Sequence, residues 1–198
     1  MASKNPEGWI QSKALSLPEL WDAMNRHHPW THPVSYYMIL VIFFEETAFC
    51  DISQLGTSGS LGCGFGQIEM SNPDKVPFFE WLGLPTDYNQ VASMMLADRD
   101  FAVKVHCKYF QYLTMFMGKG LDGCLHAQVG AHTAYISLFS QGAQMLQTAM
   151  EAGDRVASIR ALKWARERGP KSNNIPYLEP YLDFWKYILP ESYLRLGF

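Results

Sequence analysis

The spacing of apolar residues along the chain predicts a succession of helices that is interrupted once. Residues 16–19 read Ser-Leu-Pro-Glu, which combines a capping serine, an early proline and a reciprocal glutamate, so we expect a helix from there to about His27. A second helix is expected to begin after Pro33 and to end near Phe49. Because this second helix is apolar on nearly all sides, it should run through the middle of the domain.

The segment 51–72 breaks the helical pattern. It is rich in glycine and in short uncharged residues, which predicts a loop or a small hairpin. After it, apolar spacing predicts a short helix over 73–83 and a long helix over 88–117 with room for one break. Shorter helices are expected over 122–138, 141–152, 154–168 and 179–189. The expected fold class is therefore mainly α, with the glycine-rich segment beside the central helix.

The length and composition narrow the class of protein. A chain of 198 residues predicts a single domain over 1–198, in which 1–15 form a flexible N-terminal arm. With 48% hydrophobic and 18% charged residues, the chain can build a core, which excludes a disordered protein. The net charge of −3 argues against binding of a polyanion, so no nucleic-acid partner is expected.

No membrane-spanning segment is expected. The longest apolar run, 34–44, stops at Glu45 and is shorter than the roughly 20 residues that cross a bilayer. The N-terminal residues lack the apolar segment of a secretory signal. The protein is therefore expected to act in the cytoplasm or to be exported by a dedicated route.

The cysteines and histidines do not form a recognisable metal or redox motif. The four cysteines are expected to be buried thiols, with a Cys50–Cys63 disulfide as the alternative. His27, His28 and His32 lie close together in the sequence without an ordered carboxylate or cysteine set, so no metal and no cofactor are expected. A further alternative is a cysteine hydrolase that pairs Cys63 or Cys107 with His106 or His132.

Two adjacent carboxylates, Glu45 and Glu46, end the central helix. Desolvation raises the pKa of a carboxyl group, which suits a general acid that works near neutral pH. In the alternative, both are solvated at a helix end. Both have Ile42 and Phe49 at helix-neighbour spacing and their directions differ by about 100°, so this pattern does not choose between them.

Residues 46–49, Glu-Thr-Ala-Phe, and 62–68, Gly-Cys-Gly-Phe-Gly-Gln-Ile, resemble the first two signatures of the lytic transglycosylases and goose-type lysozymes. In that family of the lysozyme-like superfamily, a hydrophobic helix ends in a catalytic glutamate. A glycine-containing segment ending in Gln-Ile follows about 20 residues later, as it does here. The resemblance covers roughly 33–135, and it implies a lysozyme-like fold with Glu46 as the catalytic residue.

The resemblance also implies a set of substrate-binding residues. The first of these are Thr47, Gly64, Phe65, Gln67 and Ile68. Glycines let backbone approach a sugar ring closely, and the Gln67 amide offers donors and an acceptor to sugar hydroxyl or acetamido groups. The alternative for Gln67 is an amide that stabilises the loop.

Two later signatures of the family are matched less closely. The Ala-Tyr-Asn element corresponds to 127–135, where one register selects His132 and the other selects Tyr135. A core aromatic and a buried imidazole are the respective alternatives for Tyr135 and His132. The C-terminal cluster corresponds to 175–181, which brings in Tyr177 and Glu179, although its Glu-to-Tyr spacing is shorter than that of the family.

The implied function is cleavage of a β-1,4-linked amino-sugar polymer, above all the glycan of peptidoglycan in the cell wall. A lytic transglycosylase needs only Glu46, whereas a water-using glycosidase needs a second carboxylate. Asp51 and Glu69 could supply it, so muramidase, chitinase or chitosanase activity is the alternative, followed by a non-catalytic glycan-binding module. Action on the wall or periplasm without a signal peptide would fit a phage lysis protein, or a secreted toxin with a cognate inhibitor protein as partner.

Overall fold

The computed structural model describes residues 15, 17–47, 49, 53–55, 61–129 and 133–169. The described α-helices are α1 Leu17–His27, α2 Tyr36–Thr47, α3 Val76–Trp81, α4 Tyr88–Ala97, α5 Arg99–Met115, α6 Leu121–Val129, α7 Thr133–Glu151 and α8 Arg155–Arg168. A 3₁₀ turn at Pro73–Lys75 precedes α3, and the strands are β1 Ser53–Leu55, β2 Leu61–Cys63 and β3 Ile68–Glu69. The expectation of a mainly α fold is confirmed.

Helix α2 is the centre of the described structure. Every residue from Met38 to Thr47 is buried, as the apolar pattern of this segment predicted. Helices α7 and α8 pack against α2, while α1 packs against α5. Residues from all of the described α-helices contribute to one hydrophobic core or pack against it.

The glycine-rich segment forms a small antiparallel sheet, in the order β1-β2-β3. Ser53 pairs with Cys63, and Cys63 pairs in turn with Ile68 on the other side. Residues 64–67 join β2 to β3 in a tight turn. Gly64 and Gln67 both have positive φ there, at 78° and 51°, which glycine adopts easily and glutamine rarely. The predicted hairpin is therefore confirmed, with one additional strand.

Asp98 breaks the long helix that was predicted over 88–117. Its backbone is extended, and its side chain accepts hydrogen bonds from the N–H groups of Asp100 and Phe101, so it ends α4 and caps α5. Asp154 caps α8 in the same way by accepting from the N–H of Ala157. Aspartate is favoured at this position because the carboxylate satisfies donors that the helix leaves unpaired.

The predicted boundary between helices 122–138 and 141–152 is wrong. Helix α6 ends at Val129, and α7 runs without interruption from Thr133 through Gly142 to Glu151. A Cβ on Gly142 would lie 2.9 Å from the Cβ of Ala165 in α8 and 3.7 Å from Val41 in α2. Gly142 thus permits close packing of helices and does not end one. The predicted helix over 179–189 and the N-terminal arm lie outside the described residues.

None of the helices that the structure describes is both long enough and apolar enough to cross a membrane.

Candidate functional site

Both carboxylates at the end of α2 are buried. Glu45 has no exposed surface and Glu46 is 2% exposed. The alternative that they are solvated at a helix end is therefore excluded. Their burial follows from the position of α2, whose last turn lies among other elements of the core.

The side chains of Glu45 and Glu46 leave the helix in different directions. A Cβ on Gly169, just beyond α8, would lie 2.8 Å from Cγ and 2.9 Å from Oε1 of Glu45, so the Glu45 side chain lies directly against the end of α8. Phe43 and Thr47 instead face the turn at 64–67. Successive side chains of a helix differ in direction by about 100°. Measured from the mean direction of Phe43 and Thr47, Glu45 therefore points to the opposite side of the helix, and Glu46 is rotated by about 80°.

Thr47 connects the end of α2 to the turn. The single proton of its hydroxyl is shared between the carbonyl oxygen of Phe65, at 2.8 Å, and that of Phe43 in its own helix, at 3.1 Å. The rings of Phe43 and Phe65 lie 5.6 Å apart, which adds an apolar contact beside the hydrogen bond. The residue that follows Glu46 is thus bonded to the middle of the glycine-rich turn.

Two side chains from other helices hold the next residue of the turn. The N–H of Gly66 donates to Nε2 of His106 in α5 at 3.2 Å, and Nε2 of Gln128 in α6 donates to the Gly66 carbonyl oxygen at 2.7 Å. All three residues are buried. No local sequence pattern marks His106 or Gln128 for a role in the turn, because helix packing alone brings them to it.

His106 is a neutral, buried imidazole. It has no exposed surface, and burial lowers its pKa to about 3, since a charged ring would lose its hydration. Because Nε2 accepts a hydrogen bond, the proton of the neutral ring is assigned to Nδ1. A Cβ on Gly64 would lie 2.5 Å from Nε2, and a Cβ on Gly66 would lie 3.1 Å from the ring.

The contact of His106 with the turn shows a different role for the two glycines from the one expected. They were expected to let the backbone approach a sugar, but at Gly64 and Gly66 the space that a side chain would fill is occupied by the His106 ring. The glycines therefore allow the turn to lie against α5.

The other predicted residues of the turn are buried as well. Thr47, Phe65 and Ile68 are at most 1% exposed, and Gln67 is 8% exposed. Nε2 of Gln67 donates to the carbonyl oxygen of Gly64 at 2.7 Å, which is the loop-stabilising contact considered as an alternative. The structure brings Thr47, Gly64, Phe65 and Gln67 together, and their contact with a substrate remains a prediction.

The remaining predicted site residues are more dispersed. Glu69 is exposed on β3. Tyr135 is partly buried near the start of α7 and packs against the core, which agrees with the alternative that it is a core aromatic. Asp51, His132, Tyr177 and Glu179 lie outside the described residues.

The three N-terminal histidines have separate partners. Nε2 of His27 lies 2.9 Å from the Asp100 carboxylate, and Nε2 of His28 donates to the carbonyl oxygen of Val34 at 2.7 Å. His32 lies beside Phe110 and Thr114 in α5. Within the described ranges, no group of three His, Cys, Asp or Glu side chains is placed to hold a metal ion.

The cysteines do not support the hydrolase alternative. Cys107 and Cys124 are buried free thiols, and burial raises the pKa of Cys107, whereas a nucleophilic cysteine needs a lowered one. The Cys63 thiol is also buried and donates a long hydrogen bond of 3.8 Å to the carbonyl oxygen of Ala92. Cys63 is therefore a thiol and is not part of a disulfide, which contradicts the alternative of a Cys50–Cys63 disulfide. Cys50 itself lies outside the described residues.

Comparison with protein-family models, with curated proteins and with solved structures found no match to this chain. The resemblance to lytic transglycosylases therefore depends on the motif residues and on their placement alone.

Proposed function

We propose that the protein cleaves the glycan strands of peptidoglycan as a lytic transglycosylase, with Glu46 as its single acid and base. One observation carries this proposal: a buried carboxylate ends the apolar central helix, and the next residue, Thr47, is hydrogen-bonded to the glycine-rich turn that ends in Gln67 and Ile68. The order of these elements along the chain is that of the first two family signatures.

The chemistry begins with protonation of the leaving group. Glu46 donates its proton to the glycosidic oxygen as the bond from that oxygen to the sugar C1 breaks, through an oxocarbenium-like state. Burial favours the protonated form of a carboxyl group in general, which suits this step. Because Glu46 is only 2% exposed, the proposal requires that binding of the glycan makes its carboxyl group accessible.

The second step uses the same residue as a base. The Glu46 carboxylate takes the proton from the 6-hydroxyl of the muramic acid, and the hydroxyl oxygen bonds to C1, which closes a 1,6-anhydro ring. The proton that Glu46 gave up is thereby restored and no water is consumed. The 6-hydroxyl belongs to the bound sugar itself, so it can compete with water as an intramolecular nucleophile.

The competing hydrolase mechanism needs a second carboxylate to activate water. For an inverting enzyme, the two carboxyl groups lie about 6.5 to 9.5 Å apart. Glu69 is exposed on β3, one residue beyond Ile68, and is the described residue that could take this role. Asp51 is the other residue that the sequence offers.

The product of a peptidoglycan digest tests the proposal. Mass spectrometry should find muropeptides that end in 1,6-anhydro-muramic acid, lighter by one water than hydrolysed products. Reducing ends would instead show a hydrolase and direct attention to Glu69 and Asp51. Binding to peptidoglycan, chitin or chitosan without any product would support the non-catalytic module. Glu46→Gln, digested in parallel, excludes a contaminating enzyme.

Activity on peptidoglycan also implies a place of action and a class of partner. The enzyme would have to reach the cell wall or periplasm, as phage lysis proteins and contact-dependent toxins do. In the second case a cognate inhibitor protein would be its partner.

A further inference from the structure

Both backbone polar groups of Gly66 are bonded to side chains and not to a neighbouring strand. The N–H donates to His106 Nε2, and the carbonyl oxygen accepts from Gln128 Nε2. Gly66 is buried in the turn between β2 and β3. Buried backbone groups need partners, so the backbone of Gly66 depends on these two side chains for its hydrogen bonds.

The two side chains reach the turn from separate helices. His106 is on α5 and Gln128 is on α6, which are 40 and 62 residues away from Gly66 in sequence. Together with the bond from Thr47 of α2 to the Phe65 carbonyl oxygen, three helices hold two consecutive residues of the turn. We refer to His106, Gln128 and Thr47 as the turn clamp.

The turn clamp connects the two parts of the proposed active site. Glu46 directly precedes one clamp residue, Thr47, and Gln67 directly follows Gly66. Movement of Gly66 would therefore displace Gln67 relative to Glu46. Catalytic geometry is sensitive to such movement, because a misplacement of about 1 Å can lower a rate about 10²-fold.

We propose that His106 and Gln128 are positioning residues, which hold the glycine-rich turn in place and so set the position of Gln67 relative to the acid Glu46. This inference rests on the proposed function, in which Glu46 protonates the glycan. Neither residue acts on the substrate itself. Their side chains act through the backbone of Gly66.

A role in positioning differs from a role in packing, because it needs specific hydrogen-bonding atoms. His106→Gln keeps an acceptor that can reach the Gly66 N–H, whereas His106→Leu fills a similar volume without one. Gln128→Met removes the donor to the Gly66 carbonyl oxygen and keeps most of the side-chain length. The two His106 variants thus separate the hydrogen bond from the space that the side chain fills, and Gln128→Met tests the second hydrogen bond.

The control is a buried histidine away from the turn. His28 is 4% exposed and its imidazole interacts with the backbone of Val34 and of Cys107, so His28→Leu removes a buried imidazole and these backbone contacts without changing a residue of the turn clamp. All variants are assayed at a temperature at which denaturation curves show them to be folded.

The first measurement is the steady-state rate of cleavage of peptidoglycan. We expect His106→Leu and Gln128→Met to lower kcat about 10- to 100-fold with little change in KM, because they disturb catalytic geometry more than binding. His106→Gln should keep kcat within about threefold of the wild type, and His28→Leu should do the same. If His106→Leu and Gln128→Met lower kcat no more than His28→Leu does, the positioning role is overturned.

The second measurement is hydrogen exchange at the Gly66 amide, which needs no activity. His106→Leu should speed this exchange about tenfold relative to the wild type, while His106→Gln and His28→Leu change it less. Equal exchange in His106→Leu and the wild type would overturn the hydrogen bond on which the inference depends.

The two measurements distinguish the ways in which the inference can fail. If the wild type cleaves no glycan, the proposed function fails, and the positioning of Glu46 fails with it even where exchange confirms the turn clamp. If the wild type cleaves peptidoglycan but the clamp variants keep their kcat, only the positioning role fails.

Discussion

The hydroxyl of Thr47 lies 2.8 Å from the carbonyl oxygen of Phe65, to which it donates a hydrogen bond across 18 residues of sequence. This bond joins the end of the central helix to the glycine-rich turn. Thr47 has no exposed surface, so water cannot replace the bond if the hydroxyl is removed.

Replacement of Thr47 by valine should destabilise the protein. Valine has nearly the same shape but no hydroxyl, so the buried carbonyl oxygen of Phe65 loses a donor, which costs about 1–3 kcal/mol. Denaturation by urea should show a lower free energy of unfolding for Thr47→Val than for Thr47→Ser, which keeps the hydroxyl. Equal stability of the two variants would mean that the bond contributes nothing measurable.

The two glutamates at the end of α2 should differ in their importance for activity. Glu46→Gln is expected to lower the rate of glycan cleavage at least about 10²-fold, because positioned proton transfer contributes about 10² to 10⁴. Glu45→Gln should keep most of the activity, since Glu45 lies against Gly169 on the side away from the turn.

Both glutamate variants should remain folded, which circular dichroism and thermal denaturation can verify. Loss of activity in Glu45→Gln with retention in Glu46→Gln would show that the family motif has been aligned one residue out. The role given to Thr47 by the resemblance would then be lost too.

Stability should fall with acid because two histidines are buried in their neutral form. Burial lowers the pKa of His106 to about 3 and that of His28 to about 4. For His28, the positive charges of His32 and Lys108 also disfavour protonation. Below the ordinary histidine pKa of 6.5, the unfolded chain takes up protons that the folded protein does not. The free energy of unfolding should therefore decrease by up to about 1.4 kcal/mol per pH unit for each histidine as the pH falls.

Urea denaturation between about pH 6.5 and pH 4.5 measures this slope. His106→Gln and His28→Gln cannot take up the proton at those sites, so each should show a shallower loss of stability than the wild type. Titration of carboxylates is common to all three proteins and cancels in the comparison. Parallel curves for the wild type and both variants would contradict the assignment of neutral buried imidazoles.

Two helical glycines should respond in opposite ways to alanine. A Cβ on Gly142 would meet the Cβ of Ala165 at 2.9 Å, so Gly142→Ala forces α7 and α8 apart, and such overpacking costs about 1–3 kcal/mol. A Cβ on Gly123 of α6 would lie 2.8 Å from Cδ and 3.2 Å from Cβ of Lys119, whose exposed side chain has room to move aside. Gly123→Ala should therefore gain the higher helix propensity of alanine, about 0.5–1 kcal/mol.

Thermal denaturation of the two glycine variants should give a lower Tm for Gly142→Ala and a higher Tm for Gly123→Ala than for the wild type. A rise in Tm for both variants would show that α7 and α8 can move apart without loss of stability. Gly142 would then not be needed for the close packing of these helices.

The features that the sequence by itself determined are local ones. A helix start signal marks the beginning of α1, and apolar residues on all sides predict the burial of α2. The loss of helical spacing in the glycine-rich segment predicts the hairpin there. Each depends on residues within one or two turns of one another. The same pattern left open whether the two carboxylates at the end of α2 are buried or solvated, and the structure shows that both are buried.

Only the tertiary structure decided which residues meet across the core. Local spacing predicted a break between residues 138 and 141, yet one helix continues through this point, and Gly142 lets it pack closely against Ala165. His106 and Gln128 bond to Gly66 because α5 and α6 pack beside the turn, and no local pattern marks either residue for that role. Burial of Glu45 depends likewise on where α8 ends. These contacts join residues 23 to 124 positions apart, so they exist only once the helices have packed.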